Sequence, residues 1–344
     1  MAPRSTGWWW RAGALTVVIV PIVVAGCRAL IRGWSPLGDN GILVVRAADV
    51  LTRHNPLLGS WTSASIASGQ PVNNPGPLYF DLIALPVKLL GHSVGLAVGV
   101  ALVNVAAVVF VVLASERLAG RTAMLSLSFA AVLLEWSMGS ELLFDVWQPN
   151  ALVLPGLAFM VAAWGVACGR RWFLPWTVGI GSLLIQTHLS YVYLVPIAIL
   201  GAAATAVATR SINGELRRPL FTTAAVGLVA WAQPVIEQLA SSGRGNFSSL
   251  IDASRQETDR IGARLGVRLL AEVVATPPFV GRSSYTEAVP AAGVVGNGDN
   301  VPVLGFTWAI LAVAFSVAVL VSTGWWQRRR GETAIAALAT TVLI

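Results

Sequence analysis

An all-α fold, a polytopic transmembrane bundle of about eight or nine spans, is what this sequence predicts. Extracytoplasmic loops and juxtamembrane helices are expected to join the spans. Three observations carry the prediction. The 344 residues are 56% hydrophobic and 11% charged, with a mean hydropathy of +0.71. An ordinary soluble domain carries about 25% charge, and one buried core cannot absorb this much apolar sequence. The apolar residues gather into runs of span length, at 12–31, 93–115, 122–140, 150–169, 172–188, 189–209, 220–239 and 303–324. Basic residues fall in small clusters between the runs: Arg4 and Arg11, Arg117 and Arg121, Arg170 and Arg171, Arg210 with Arg217 and Arg218, and Arg328 to Arg330.

These clusters alternate consistently if the N-terminus is cytoplasmic, because Lys and Arg concentrate in short cytoplasmic loops. The opposite face then receives two long loops, 32–92 and 240–302. The same pattern accounts for a net charge of +7 without a nucleic-acid partner. Of the 16 acidic residues, only Glu116, Glu215 and Glu332 fall on the cytoplasmic side, so carboxylate chemistry belongs to the extracytoplasmic face of what reads as a plasma-membrane protein. Trp34, Trp147, Trp172, Trp231, Trp325 and Trp326 stand at run ends, where amphipathic rings anchor at the interface.

The first run contains Val24-Ala25-Gly26-Cys27, which has the form of a lipoprotein cleavage box. Its apolar stretch is long, however, and Arg28 follows the cysteine directly, so an uncleaved helix is expected. Cys27 and Cys168 fall on opposite faces and do not pair. Three histidines without HxxxH or CxxC spacing do not make a zinc site.

The first outer loop opens RGWSPLGDNG, turn chemistry that sets Asp39 on a tight loop close to the membrane. Its carboxylate either caps the next segment or serves as a catalytic group at the mouth of a membrane cavity. Arg53 and His54 follow; they meet a phosphate or stay solvated. Pro75 and Pro77 stiffen the approach to residues 78–90, an apolar stretch of about 20 Å that is too short to span. It is expected to be a juxtamembrane helix on the outer face, with Lys88 reaching towards head groups or a lipid phosphate.

Further along, Glu141 and Asp145 sit in a short outer loop, where either could supply a second carboxylate. Glu135 lies inside a span and lines a cavity or pairs with a cation. Gln186 and His188 mark an outward turn between two runs, within reach of a phosphate or hydroxyl. Pro234 kinks the end of the seventh run, and Glu237 follows as a substrate-binding candidate. Residues 258–275 place Ile261, Leu265, Leu269 and Val273 on one face, the pattern of an amphipathic helix, and 276–302 is a Pro- and Gly-rich loop. The last run opens near Thr333 and is still apolar at Ile344. Twelve helical residues reach only about 18 Å, so the natural chain is expected to continue.

The early Asp39, the stretch Asn74-Pro-Gly-Pro-Leu-Tyr-Phe80 and the Gly91-His92-Ser93 that ends the apolar helix together resemble the GT-C superfamily of integral-membrane glycosyltransferases. The likeness covers about residues 12–210 and is nearest to the branch of protein O-mannosyltransferases and aminoarabinose transferases. It implies a polyprenyl-phosphate-linked sugar donor, an extracytoplasmic glycan, lipid or protein acceptor, and inverting transfer. Asp39 would be general base or ligand to a divalent cation (Mg or Mn), with Arg53, His54, Lys88 and His188 on the donor phosphate and Gln186, Asp145 and Glu237 on substrate. The chain departs from the family at Asn73 and Asn74, where His, Glu or Lys often stands. That departure keeps a non-catalytic scaffold of the same fold as an alternative. A lipid or solute transporter is the other, although no inverted repeat is evident.

Overall fold

The computed structural model describes residues 6–211 and 214–255. The runs at 303–324 and beyond Thr333, the helix at 258–275, the loop at 276–302, Arg4 and the Arg328–Arg330 cluster lie outside the described residues. Contacts divide the chain into two units. The first holds residues up to Val132 and from Ser140 to Gln256; the second holds Leu133–Gly139 with residues beyond the described ones.

Every regular element among the described residues is helical. The order is α1 (Thr6–Ile31), α2 (Asp39–Asp49), α3 (Ala64–Ser68), α4 (Leu78–Leu90), α5 (His92–Leu142), α6 (Gln148–Ala151), α7 (Val153–Ala167), a 3-10 turn at Arg171–Phe173, α8 (Leu174–Thr187), α9 (Tyr191–Ala208), α10 (Arg217–Ala240) and α11 (Asn246–Arg255). Five of these stretches are long and apolar enough to cross a membrane: Gly7–Ile31, His92–Leu142, Gln148–Ala167, Tyr191–Ala208 and Arg217–Ala240. Their exposed faces are apolar as well as their buried ones. In α1, Val18, Ile22, Ala25 and Ala29 are buried while Val17, Val20, Val23 and Val24 are exposed, and α9 exposes Leu194, Ile197, Leu200 and Val207. A helix in water would turn charge outwards; one in lipid has no reason to. The chain is a membrane protein by this criterion.

A straight helix over the 51 residues of α5 would be about 77 Å long, more than twice the hydrocarbon thickness. The backbone does not stay helical throughout. Gly120 has φ +76° and Gly139 φ +75°, values that an α-helix cannot carry and that glycine adopts without a Cβ clash. Gly120 stands beside Arg121, where the sequence separates two runs.

Three contacts show that α1 lies antiparallel to the first part of α5. Arg11 Nε donates to Glu116 Oε2 at 2.7 Å, a Cβ at Gly26 would lie 4.0 Å from Ala101 Cβ, and the Ser35 and Ser93 hydroxyls are 3.3 Å apart. The basic ends gather together. Arg121 lies over the Trp10 ring, 5.4 Å from its centroid. Gly169 packs against Ser211, Gly214 against the Arg171 guanidinium, and Phe110 stacks obliquely on Trp176 at 5.3 Å.

The run at 172–188 forms less helix than a span needs. After the 3-10 turn, α8 has 14 residues and ends where His188 turns extended, just before Tyr191 opens α9. It is nonetheless held tightly between α7, α9 and α10. Gly181 is the reason for its closeness to α9 and α7, since a Cβ there would lie 2.8 Å from Val195 Cγ1 and 3.2 Å from Phe159 Cε2. Small residues set how near two membrane helices can come.

The apolar stretch 78–90 is helix α4, as its composition predicts. It does not stand alone. Gly91, at φ +82°, turns the chain straight into α5, and α4 packs back antiparallel along it: a Cβ at Gly99 would lie 3.0 Å from Ile83 Cβ. Tyr79, Phe80, Ile83, Ala84 and Val87 of α4, Leu43, Val44 and Ala47 of α2 and Leu96 and Val100 of α5 form one apolar cluster. That cluster is the platform on which the first loop is built.

Candidate functional site

The loop between α2 and α4 folds onto the α8–α9 turn through side-chain amides. Asn74 is buried. Its Oδ1 accepts from Leu189 N at 2.9 Å, and its Nδ2 donates to Ser60 Oγ at 3.0 Å. Gln148 Nε2 reaches the same Ser60 hydroxyl. Gln186 is fully buried. Its Nε2 donates to Ala230 O at 2.6 Å and its Oε1 accepts from Leu78 N at 3.3 Å. Its own carbonyl accepts from Gly76 N at 3.3 Å. One amide therefore joins α8, α10 and the first turn of α4. Two glycines let the strands of this knot touch. A Cβ at Gly59 would lie 2.7 Å from Asn74 Cβ and 2.9 Å from two carbonyl oxygens, and one at Gly76 would lie 2.7 Å from Pro234 Cγ.

Glu237 is likewise engaged at home. Its Oε1 accepts from Ser241 Oγ at 2.8 Å and its Oε2 from Asn246 N at 3.1 Å, which satisfies a first-turn donor of α11. Asn246 then grips Asn73, accepting from Asn73 N at 2.9 Å and donating to Asn73 O at 3.0 Å. Gln186 and Glu237 thus serve as clasps, and the Asn73-Asn74 pair, which the sequence marks as a departure from the family pattern, is itself held by Asn246, Ser60 and Leu189.

Asp39 differs from all of these. It is exposed at the first position of α2 and makes no hydrogen bond or ion pair among the described residues. Its turn is nevertheless fixed. Ser35 is bonded to Ser93, and Asn40 Nδ2 donates to Asp145 Oδ1 at 2.9 Å. Asp145 is itself occupied: Trp147 N donates to Oδ1 at 3.1 Å and Asn150 Nδ2 to Oδ2 at 2.7 Å, so it braces the entry to α6. Glu141 is exposed. Glu135 belongs to the second unit and is buried.

Arg53 and His54 are exposed in the turn that ends α2. They stand a helix length, about 16 Å, from Asp39. Next to them, Asn55 Nδ2 donates to Gln233 Oε1 at 3.3 Å, and Gln233 Nε2 donates to Asp81 Oδ2 at 2.7 Å. Asp81 is half-buried; burial raises its carboxyl pKa, against the opposing effect of Gln233. Lys88 is exposed two residues before the end of α4. No three His, Cys, Asp or Glu side chains among the described residues gather closely enough to share an ion.

His188 is half-buried in the α8–α9 turn, and Ser190 N donates to its Nδ1 at 3.3 Å. The acceptor role fixes the proton of the neutral ring on Nε2. Burial lowers its pKa, so the unfolded chain takes up the proton first. Stability is then fully present above the unfolded value of about 6.5 and is lost as pH falls below it. The melting temperature should drop between pH 7.5 and 5.5, and His188→Gln should flatten that slope.

Asn74, Asp81, Gln233 and Asn246 were not among the sequence candidates. Asp81 carried the clearest signal, as the one acid in a 13-residue apolar helix. Gln233 and Asn246 offered none, because an isolated amide becomes informative only when its partner is known. No protein-family model, curated protein or solved structure matches this chain.

Proposed function

We propose that the protein is a membrane glycosyltransferase that moves a sugar from a polyprenyl-phosphate donor to an extracytoplasmic acceptor, with inversion. The observation that supports the reading is Asp39: an exposed carboxylate with no hydrogen bond or ion pair among the described residues, on a turn pinned at Ser35 and Asn40, beside the α4–α5 hairpin. Its neighbours' acids and amides are committed to the fold; Asp39 is not. The acceptor hydroxyl oxygen bonds to the anomeric carbon as the bond from that carbon to the phosphate oxygen breaks. Asp39 takes the hydroxyl proton, and the phosphate leaves with the electron pair. Lys88, on the hairpin whose Ser93 meets Ser35, holds that phosphate.

The test is transfer by the full-length protein in proteoliposomes, with a panel of polyprenyl-phosphate hexoses and pentoses. Sugar transfer with release of polyprenyl phosphate is expected from at least one. Inactivity with every donor would favour the scaffold reading, which the structural use of Gln186, Asn74 and Glu237 supports. Orientation is checked by reporter fusions: cytoplasmic after Arg121 and Arg171, extracytoplasmic near Asn73. A cytoplasmic signal near Asn73 would put Asp39 in the wrong compartment for this chemistry.

A further inference from the structure

Helix lengths counted from the gathered basic ends give the depth of the polar knot. Gln186 lies about 24 Å from Arg171, through the 3-10 turn and α8. Ala230 lies about 20 Å along α10 from Arg217. Leu78 comes to about 20 Å as well, by running from Arg117 along α5 to Gly99 and back along α4 from Ile83. These residues are joined by the two hydrogen bonds of the Gln186 amide, and three separate helix counts agree on their level to about 4 Å. The hydrocarbon extends about 30 Å from the basic end, which leaves the knot about 6–10 Å beneath the opposite surface. Asp81 and Gln233, each a turn or less further along α4 and α10, are then about 5 Å beneath it.

Irregular backbone survives at such depth only where it is buried in protein or lines a polar cavity. Gly59 and the stretch from Asn74 to Pro77, which are buried, meet that condition, the latter through bonds to Gln186 and Leu189. A carboxylate at such depth marks a ligand path rather than a solvated surface. Asp81 Oδ1 makes no hydrogen bond among the described residues, whereas its Oδ2 is held by Gln233.

We infer that Asn55, Gln233 and Asp81 form a recessed site for the polyol head of a phospholipid, with Arg53 and His54 on its phosphate. A carboxylate beside two side-chain amides offers the planar donors and acceptors that neighbouring hydroxyls match. The carboxylate itself repels phosphate, and the exposed Arg53 and His54 adjoin Asn55 in sequence. The exposed aliphatic flank of α4, Leu82, Leu85 and Leu89, gives the acyl chains an apolar wall. The site stands a length of α2 from Asp39, so it is separate from the proposed transfer centre and does not depend on transfer activity.

Lipid retention measured by native mass spectrometry of the full-length protein tests this. Phosphatidylinositol is compared with its polyol-free parent, phosphatidic acid. The wild type should prefer phosphatidylinositol to phosphatidic acid by about ten- to a hundredfold, the range for hydrogen bonds to a charged group. Asp81→Asn keeps the size of the side chain and an acceptor for Gln233, and should lose that preference. Equal retention of polyol lipid and parent by the wild type, or an unchanged preference in Asp81→Asn, would overturn the site. Displacement of the lipid by an equal concentration of myo-inositol 1-phosphate would overturn the lipid as its ligand. Depth is read separately, from a spin label at Leu82→Cys in a Cys27→Ser, Cys168→Ser background in nanodiscs. Relaxation by oxygen should dominate over a water-soluble nickel chelate; the reverse would overturn the recessed placement.

Discussion

Asp39→Asn should abolish sugar transfer while leaving the protein folded and inserted. The side chain is exposed and bonds to nothing among the described residues, so the exchange removes no contact. A carboxylate in the first turn of α2 is worth about 0.3–1 kcal/mol against the helix dipole, and that is the whole structural loss expected. Loss of a catalytic base typically lowers the rate about 10²- to 10⁴-fold. The two effects differ enough to separate a cap from a base. Initial rates with a polyprenyl-phosphate donor, set beside melting temperatures, make the measurement. Near wild-type transfer by Asp39→Asn would end the catalytic assignment, and a large fall in melting temperature would show that the carboxylate is structural after all.

Gln186→Leu should do the opposite: lose stability heavily, and activity only in proportion to the protein that remains folded. Leucine is close in volume but leaves Leu78 N and Ala230 O, which meet the fully buried Gln186 side chain, without their partner. An unsatisfied buried polar group costs about 1–3 kcal/mol, so the pair should cost about 3 kcal/mol or more. The KM for donor in the folded fraction should not move. A variant that melts with the wild type but binds donor poorly would restore Gln186 as a substrate ligand. The hydrogen bonds predict otherwise, because both ends of its amide are already used.

Which parts of this arrangement the sequence disclosed follows from the physics behind each signal. Apolar runs and basic clusters are properties of single segments, so α1, α4, α7, α9 and α10 emerge close to where periodicity and length put them. The 172–188 run turns at His188, where the sequence sets the break, and its first residues form a 3-10 turn, which leaves α8 only 14 residues long. The place of Asp39, at the turn that opens α2, was legible because Pro-Leu-Gly-Asp-Asn-Gly is turn chemistry of a local kind. The roles of Gln186 and Glu237 were not, since a polar residue at a span end reads the same whether it meets substrate or a distant main-chain group. The partners lie far off in sequence: Leu78 is 108 residues from Gln186, and Asn55 is 178 from Gln233.

The grip of Asn246 on Asn73 has a consequence for biogenesis. The two residues are 173 positions apart. At a synthesis rate of about 5–20 residues per second, the loop leaves the ribosome about 10–30 s before its last partner exists. Through that interval its exposed strand-like backbone, Trp61 opposite Asn73, is an open edge. Closure must wait for α10 to insert. A ribosome that stalls between α9 and α10 would present quality-control proteases with a chain whose membrane helices are in place and whose first loop is still cleavable.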